Sequence, residues 1–294
     1  YLFESNFIFI SVNTDFSDHD NGFNTQSISA LCKEIVKKNP TANIIIKSTV
    51  PIGFTSNLLK TLNTKNIAIS PEFLSEGNGY FDTINPSRLV IGSKENYKKI
   101  LDIYKKSYIR VNCEIFNVSP SEAEAIKLFS NTFLAMRVAF FNELDTFSLF
   151  NNFDTKKIIQ GVCSDKRVGD FYNNPSFGFG GYCLPKDSKQ LSEHLGKDYG
   201  KLIRSINESN DSRMEVIARK IIESDFKTIG FFRLSMKKGS DNFRESSSLK
   251  VLKLINENSK KRILIYEPAM KFENDNEFEL VKDINFFKSE SDLI

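Results

Sequence analysis

The residues with the plainest chemical potential lie in one stretch, Tyr172-Asn173-Asn174-Pro175-Ser176-Phe177-Gly178-Phe179-Gly180-Gly181-Tyr182-Cys183-Leu184-Pro185-Lys186-Asp187. Glycines at 178, 180 and 181 remove the Cβ atoms that keep a backbone away from a ligand, and they permit φ > 0 where a tight loop needs it. Cys183 follows at once. After it come Pro185, which fixes the chain, Lys186, whose charge favours thiolate over thiol, and Asp187, four residues beyond the sulfur. That is the layout of a covalent thiol site. A lone cysteine is ordinarily a small buried hydrophobe, and Cys32, Cys113 and Cys163, in apolar or helix-like contexts, are read that way. Neither His19 nor His194 lies near Cys183 in sequence, so lysine and aspartate are the better candidates to assist it.

A second group sits on a helix. Ser119-Pro120-Ser121-Glu122 is a helix start, with Ser119 as N-cap, Pro120 at the first helical position and Glu122 placed for a capping box. From there to about residue 150 the chain is apolar nearly all round, as expected for a strut buried on most sides or for a subunit interface. Lys127 and Asn131, four apart, share one face of it. On a surface helix they would be a snorkelling lysine beside an amide; on a helix this apolar they point to a site.

Other elements must position these groups. A strand is expected over residues 7–12, a helix over 26–38, strands over 43–47, 66–70 and 88–92, and a helix near 55–62. Such alternation predicts a parallel sheet with ligands at the carboxyl ends of its strands, where Thr49 and Glu72 fall. Helical sequence covers 202–224, and a second α/β pattern follows with strands at 227–232 and 262–266 and a helix between. The last residues fall where a further strand is expected. The fold class predicted is α/β: two Rossmann-like parallel-sheet domains joined by a long central helix and a helical dimerisation region. The divisions are 1–112, 119–207 and 225–294.

Composition narrows the function. A chain of 294 residues with 40% hydrophobic and 26% charged residues is globular. A net charge of +3, from 40 basic and 37 acidic side chains, gives no footprint for nucleic acid. The cysteines, four without regular spacing, suit a reduced, cytoplasmic setting and no disulfide framework, and they suggest no metal site. No apolar run approaches ~20 residues, so no membrane span is expected.

With these pieces in order the chain resembles the UDP-glucose 6-dehydrogenases, within the UDP-glucose/GDP-mannose dehydrogenase family. The resemblance runs end to end through Phe9-Ile10-Ser11-Val12-Asn13-Thr14, Lys47-Ser48-Thr49-Val50-Pro51-Ile52-Gly53, Ser70-Pro71-Glu72-Phe73-Leu74-Ser75-Glu76-Gly77, residues 121–132, the cysteine loop, and Asp241-Asn242-Phe243-Arg244-Glu245-Ser246. It implies two hydride transfers to NAD⁺ from one carbon of UDP-glucose, giving UDP-glucuronate for polysaccharide precursors, by way of a thiohemiacetal and a thioester on Cys183. It implies Lys127 and Asn131 at the developing oxyanion and Asp187 with Lys127 holding a water. Glu72 becomes the base for thioester hydrolysis, and Thr49 positions water. The sugar nucleotide would be gripped by Glu72, Phe73, Leu74, Ser75 and Glu76, by Lys127 and Asn131, and by Tyr172, Asn174, Ser176, Phe177, Gly178, Gly180 and Lys237. Arg167 matches the arginine that reaches across a homodimer into the partner's site. The NAD contacts implied are Val12, Asn13, Thr14, Ser48, Thr49, Val50, Glu76, Lys186 and Arg244.

The departures matter too. The family's Gly-x-Gly-x-x-Gly turn and ribose-binding acid precede the segment at which this sequence opens, so the N-terminal domain is expected to be incomplete and NAD binding by these 294 residues alone weak. Asp15 and Phe16 stand where the family has Pro and Thr. Two other readings remain: a dehydrogenase of another nucleotide sugar, such as UDP-N-acetylhexosamine or GDP-mannose, and a truncated, non-catalytic remnant.

Overall fold

Branched apolar residues in unbroken runs make strands that are covered on both faces. The computed structural model describes residues 4–17, 19, 21–75, 77–107, 112–234, 246–268 and 278–294. It divides into two compact units, residues 1–132 with 186–201, and residues 133–185 with 202–294.

In the first unit, β1 (Phe7–Ile10) leads into a small antiparallel hairpin, β2 (Phe16–Ser17) and β3 (Gly22–Phe23), then α1 (Gln26–Lys38), β4 (Asn43–Ile46), α2 (Phe54–Thr61) and β5 (Ile67–Ile69). There follow α3 (Gly79–Ile84), β6 (Arg88–Gly92), α4 (Tyr97–Lys106), β7 (Glu114–Val118) and the long α5 (Pro120–Asn151), whose first residues, 120–132, belong to this unit. The sheet runs in the order β1-β4-β5-β6-β7. Ile44 and Ile46 enter one core with Ile8, Ile10, Ile28 and Ile35, while Ile45 enters the other with Leu89, Ile91, Ile100 and Tyr104. The alternation of side chains across the sheet puts neighbours on opposite faces, which is why the run is apolar throughout. The pairings β1–β4, β4–β5 and β6–β7 are parallel, but β6 meets β5 antiparallel, through Ile69 and Gly92. A Cβ on Gly92 would lie 2.7 Å from the Ala123 Cβ and 2.9 Å from the Pro120 Cα, so the close approach of β6 to the start of α5 requires glycine. The expected capping box is present: Glu122 Oε2 accepts from the Ser119 N–H at 2.7 Å, and Ser119 Oγ from the Glu122 N–H at 3.3 Å.

The second unit holds the rest of α5, then α6 (Thr155–Cys163) and the opening of α7 (Cys183–Tyr199), which is interrupted at Gly196. After α8 (Lys201–Ile222) come β8 (Thr228–Phe232), α9 (Ser247–Asn258), β9 (Arg262–Tyr266), β10 (Glu279–Leu280) and α10 (Ile284–Glu290). The parallel sheet has the order β10-β9-β8, and Leu293 bridges to Ile229 beside β8, where the further strand was expected. The expectation that α5 is buried on most sides is corrected for this chain. Phe141 is buried, but Phe133, Phe140 and Phe147, seven residues apart, are 49, 57 and 56% exposed and form an open stripe.

Candidate active site

The carboxyl ends of β1 and β4 are laced together in the first unit. The Val12 N–H donates to Ser48 Oγ at 2.9 Å, that hydroxyl donates to the Val12 carbonyl at 2.7 Å, and the Thr14 hydroxyl donates to the Thr49 carbonyl at 2.7 Å. Val12, Thr14, Ser48 and Thr49 are therefore tied together at the strand ends, the place where parallel α/β sheets bind ligands, with Thr14, Ser48 and Val50 buried and Asn13 exposed. The neighbouring N-terminus of α2 is not an open anion site. Its Gly53 and Thr55 N–H groups donate to the two carboxylate oxygens of Glu124 on α5, at 2.5 and 2.8 Å. Burial pushes the Glu124 carboxyl above its ordinary range, against the pull of those hydrogen bonds.

Past β5, the Phe73 ring lies between two cations, the Arg88 guanidinium at 3.8 Å and the Lys127 ammonium at 5.4 Å. Arg88 also donates to Ser130 Oγ at 3.0 Å, and burial lowers its pKa. The Ser75 N–H donates to Asp82 at 2.7 Å, which shapes the loop beside the partly exposed Leu74. Glu72, Phe73 and Leu74 line a cavity of about 530 Å³ within this unit.

A second buried polar cluster joins α5 to the part of α7 that belongs to the same unit. Asp187 is fully buried, and its two oxygens accept from Asn131 Nδ2 at 2.5 Å and Lys186 Nζ at 2.9 Å. Lys127 and Asn131 are buried as well. Lys186 lies 4.2 Å over the Phe23 ring, and the Phe23 N–H donates to Gln190 on α7 at 2.8 Å. This docking of the β2–β3 hairpin on α7 is absent from the sequence expectations.

In the second unit, Cys183 is exposed, in no disulfide, and the first residue of α7. The sequence reading placed it in a loop; a helix N-terminus favours thiolate over thiol, and Pro185 is tolerated in the first turn because its missing N–H has no partner there. The burial expected of Cys32 holds, and it pushes that thiol up to about 12. Cys163 is buried, and Cys113 is only partly buried.

The loop before Cys183 is clamped from two helices. The Ser176 N–H donates to Asn142 Oδ1 at 2.8 Å, and its carbonyl accepts from Arg213 Nε at 3.0 Å. The Phe179 N–H and carbonyl both bond the Asn210 amide, at 2.7 and 3.0 Å. A Cβ on Gly178 would stand 2.9 Å from Asn210 Oδ1, so glycine there is a matter of space. Arg137 holds the preceding turn through the Val168 and Phe171 carbonyls, both at 2.9 Å. Asn142, Asn210, Arg213 and Arg137 were missed from sequence. The signal was available for two of them, since Arg137 and Asn142 interrupt the apolar face of α5 as Lys127 and Asn131 do. Tyr172 takes φ = +49° and is exposed, Phe177 is exposed at its rim, and the Ser176 hydroxyl donates to the Gly178 carbonyl at 3.0 Å. Asn174 and Gly180 belong to the same loop. Arg167 stands apart, exposed and paired with Asp165 at 2.6 Å. Glu76, Lys237 and Arg244 lie outside the described residues.

Among the described residues no cluster of His, Cys, Asp and Glu is placed to hold a metal, and no helix is long and apolar enough to cross a membrane. The sequence profile of the UDP-glucose/GDP-mannose dehydrogenase family, NAD binding domain, matches residues 1–111, and that of the family's central domain matches residues 121–212. A UDP-glucose 6-dehydrogenase of Campylobacter jejuni is 43% identical over 294 residues, which are 99% of this chain and 75% of that protein.

The chain belongs to the UDP-glucose/GDP-mannose dehydrogenase family. The UDP-glucose 6-dehydrogenase of Streptococcus pneumoniae is 39% identical across 97% of this chain and 74% of its own length. The solved UDP-glucose dehydrogenase of Pyrobaculum islandicum superposes with a TM-score of 0.86 at 26% identity, covering 99% of this chain and 72% of that one. As a member of the family the chain is an NAD-dependent oxidoreductase with a Rossmann-like α/β fold. The laced ends of β1 and β4 stand where a parallel α/β sheet takes its cofactor, within the segment that the NAD binding domain of the family matches.

Proposed function

We propose that this dehydrogenase oxidises UDP-glucose to UDP-glucuronate, with Cys183 as the nucleophile of the second oxidation. The observation that carries the reading is the buried cluster of Asn131, Asp187 and Lys186, because Asp187 stands on the helix that opens with Cys183 and Asn131 shares its face of α5 with Lys127. When bound, NAD⁺ supplies the hydride acceptor for both oxidations, and Val12, Asn13, Thr14, Ser48, Thr49, Val50 and Lys186, with Glu76 and Arg244, would hold it.

The chain's own residues do the remaining work. Asp187 and Lys127 hold a water that takes the proton from the C6 hydroxyl during the first oxidation. The Cys183 thiolate then adds to the aldehyde carbon, and the negative charge that develops on oxygen is met by the Lys127 ammonium and the Asn131 amide, in a site with little water to compete. Loss of the second hydride leaves a thioester. Water positioned by Thr49 attacks its carbonyl carbon, Glu72 accepts the water's proton, and the C–S bond breaks to return the thiolate.

The sugar nucleotide is gripped by residues 72–76, by Lys127 and Asn131, and by Tyr172, Asn174, Ser176, Phe177, Gly178, Gly180 and Lys237. The working division is a cofactor segment over 1–112, a central segment over 119–207 and a UDP-sugar segment over 225–294. A homodimer is supported by the exposed stripe of Phe133, Phe140 and Phe147, whose seven-residue spacing is that of a helix-pairing seam. Arg167, exposed to solvent, is then the residue offered to the partner's substrate. Four cysteines outside any disulfide suit a cytoplasmic enzyme. The test is NADH release by the full-length protein against UDP-glucose, UDP-N-acetylhexosamines and GDP-mannose. UDP-glucose is expected to give the highest kcat/KM and two NADH per sugar, and a preference for another sugar would overturn the assignment.

A further inference from the structure

We propose that Lys47, with Tyr104 and Ser70 behind it, is a positioning residue that aims the Glu72 carboxylate for thioester hydrolysis. The proposal rests on the reading of Glu72 as the hydrolytic base, and it gives a part to three residues which that reading leaves unused. Lys47 follows directly on β4, and its N–H donates to the Ile10 carbonyl at 2.8 Å, so the sheet fixes its backbone. Its ammonium donates to the Tyr104 hydroxyl at 3.1 Å, and that hydroxyl donates to Ser70 Oγ at 3.0 Å. Ser70 and Glu72 lie just past β5, while Tyr104 comes from α4, so three separate elements converge on the chain of donors.

The ammonium also stands 4.0 Å from Glu72 Oε1. Lys47 and Glu72 share the wall of the 530 Å³ cavity with Tyr104, and Asp82, Arg88 and Lys106 are the other charged residues lining it. A lysine at a surface ordinarily extends into water, and pairs it makes there contribute little. This side chain is only 13% exposed, its end is held by a buried tyrosine whose ring is edged by Phe9 at 6.0 Å, and its charge therefore acts from a defined point with weakened solvent screening. Glu72 is 35% exposed, so its carboxylate keeps access to water while the ammonium stands 4.0 Å away. That geometry orients a base toward an entering water without burying it. In the step concerned the water oxygen bonds the thioester carbon, Glu72 takes the proton, and the electron pair of the broken C–S bond returns to Cys183.

The experiment is rapid quench of the full-length enzyme with UDP-glucose and NAD⁺, read by intact-protein mass and by steady-state kinetics. Lys47→Met is expected to keep a burst of two NADH per site and to accumulate a UDP-glucuronyl thioester on Cys183. Its kcat should fall about tenfold, less than the roughly 10²–10⁴-fold that loss of the base itself would cost, with KM for the sugar within about twofold. Lys47→Arg should clear most of the adduct, and Tyr104→Phe, which removes only the hydroxyl, should show a smaller accumulation. A Lys47→Met enzyme that turns over without adduct, or changes KM alone, overturns the proposal. Should that variant fail to fold, Tyr104→Phe decides: wild-type deacylation overturns it. Glu72→Gln separates the two levels. Adduct in Glu72→Gln but not in Lys47→Met defeats the positioning role alone, whereas adduct in neither, with wild-type turnover by Glu72→Gln, defeats the role of Glu72 and the proposal with it.

Discussion

Replacing Asn210 by alanine tests whether the loop before Cys183 is held as the geometry says. The Asn210 amide accepts from the Phe179 N–H at 2.7 Å and donates to the Phe179 carbonyl at 3.0 Å, and both residues are buried. Asn210→Ala strands both backbone groups. An unpaired buried donor or acceptor costs about 1–3 kcal/mol, so the closed loop loses at least about 2 kcal/mol, equivalent to about thirtyfold more frequent opening. The assay is amide hydrogen exchange. The Phe179 amide should exchange at least about thirtyfold faster in the variant, while the amides of β4, in the other unit, keep their protection. Asn210→Asp, which can accept but not donate, should fall between. Exchange at Phe179 within about threefold of wild type would refute the reasoning, since it would mean that the two hydrogen bonds do not close the loop.

Three further outcomes are expected. Gly178→Ala puts a methyl group 2.9 Å from Asn210 Oδ1 and 3.3 Å from Met214 Cγ, and should cost about 1–3 kcal/mol of stability by overpacking, measured by circular dichroism melts, together with weaker UDP-glucose binding by calorimetry. Phe140→Glu breaks the exposed stripe on α5 and should give a monomer in sedimentation velocity, where the wild type is expected to sediment as a dimer; a dimer in both would exclude that face as the contact. Glu124 contributes a pH dependence of its own, opposite in sign to that of carboxylates such as Asp292 whose pKa is lowered. Its folded pKa is raised above 4.5, so as pH climbs from about 4.5 through the raised value the unfolded chain releases this proton first and folding loses stability. The melting temperature of Glu124→Gln minus that of wild type should therefore rise with pH across that window, and a difference that stays flat would contradict it.

Local signals read well from the sequence where local chemistry decides. The run Arg88–Gly92, the strand Arg262–Tyr266 and α1 stand where periodicity put them, and the Ser119–Glu122 box closes as its residue types require. The antiparallel turn of β6 was not legible, because a strand covered on both faces reads the same in either direction. The hairpin over 16–23, α3, α4, β7 and α6 were missed. The two short strands make only a two-residue ladder, and α4 is amphipathic but lies beyond the last strand, 88–92, expected in the first α/β pattern. Cys183 was found by its glycines, yet those same glycines and Pro185 hid the helix that begins at the sulfur. On α5 the apolar residues occupy every face, so sequence could not separate the buried Phe141 from the exposed Phe140. Lys127 and Asn131 were legible because two polar residues on such a helix have few bland explanations; the α8 residues Asn210 and Arg213, on a helix with ordinary polar composition, carried no such mark.

The central claim is that one sulfur carries the second oxidation. Cys183→Ser in the full-length protein, assayed for UDP-glucuronate and NADH formed from UDP-glucose, tests it most directly. The account predicts that steady-state turnover to the acid falls by about 10³-fold or more, the scale on which loss of a nucleophile lowers kcat. Formation of two NADH per sugar at the wild-type rate by the serine variant would contradict it.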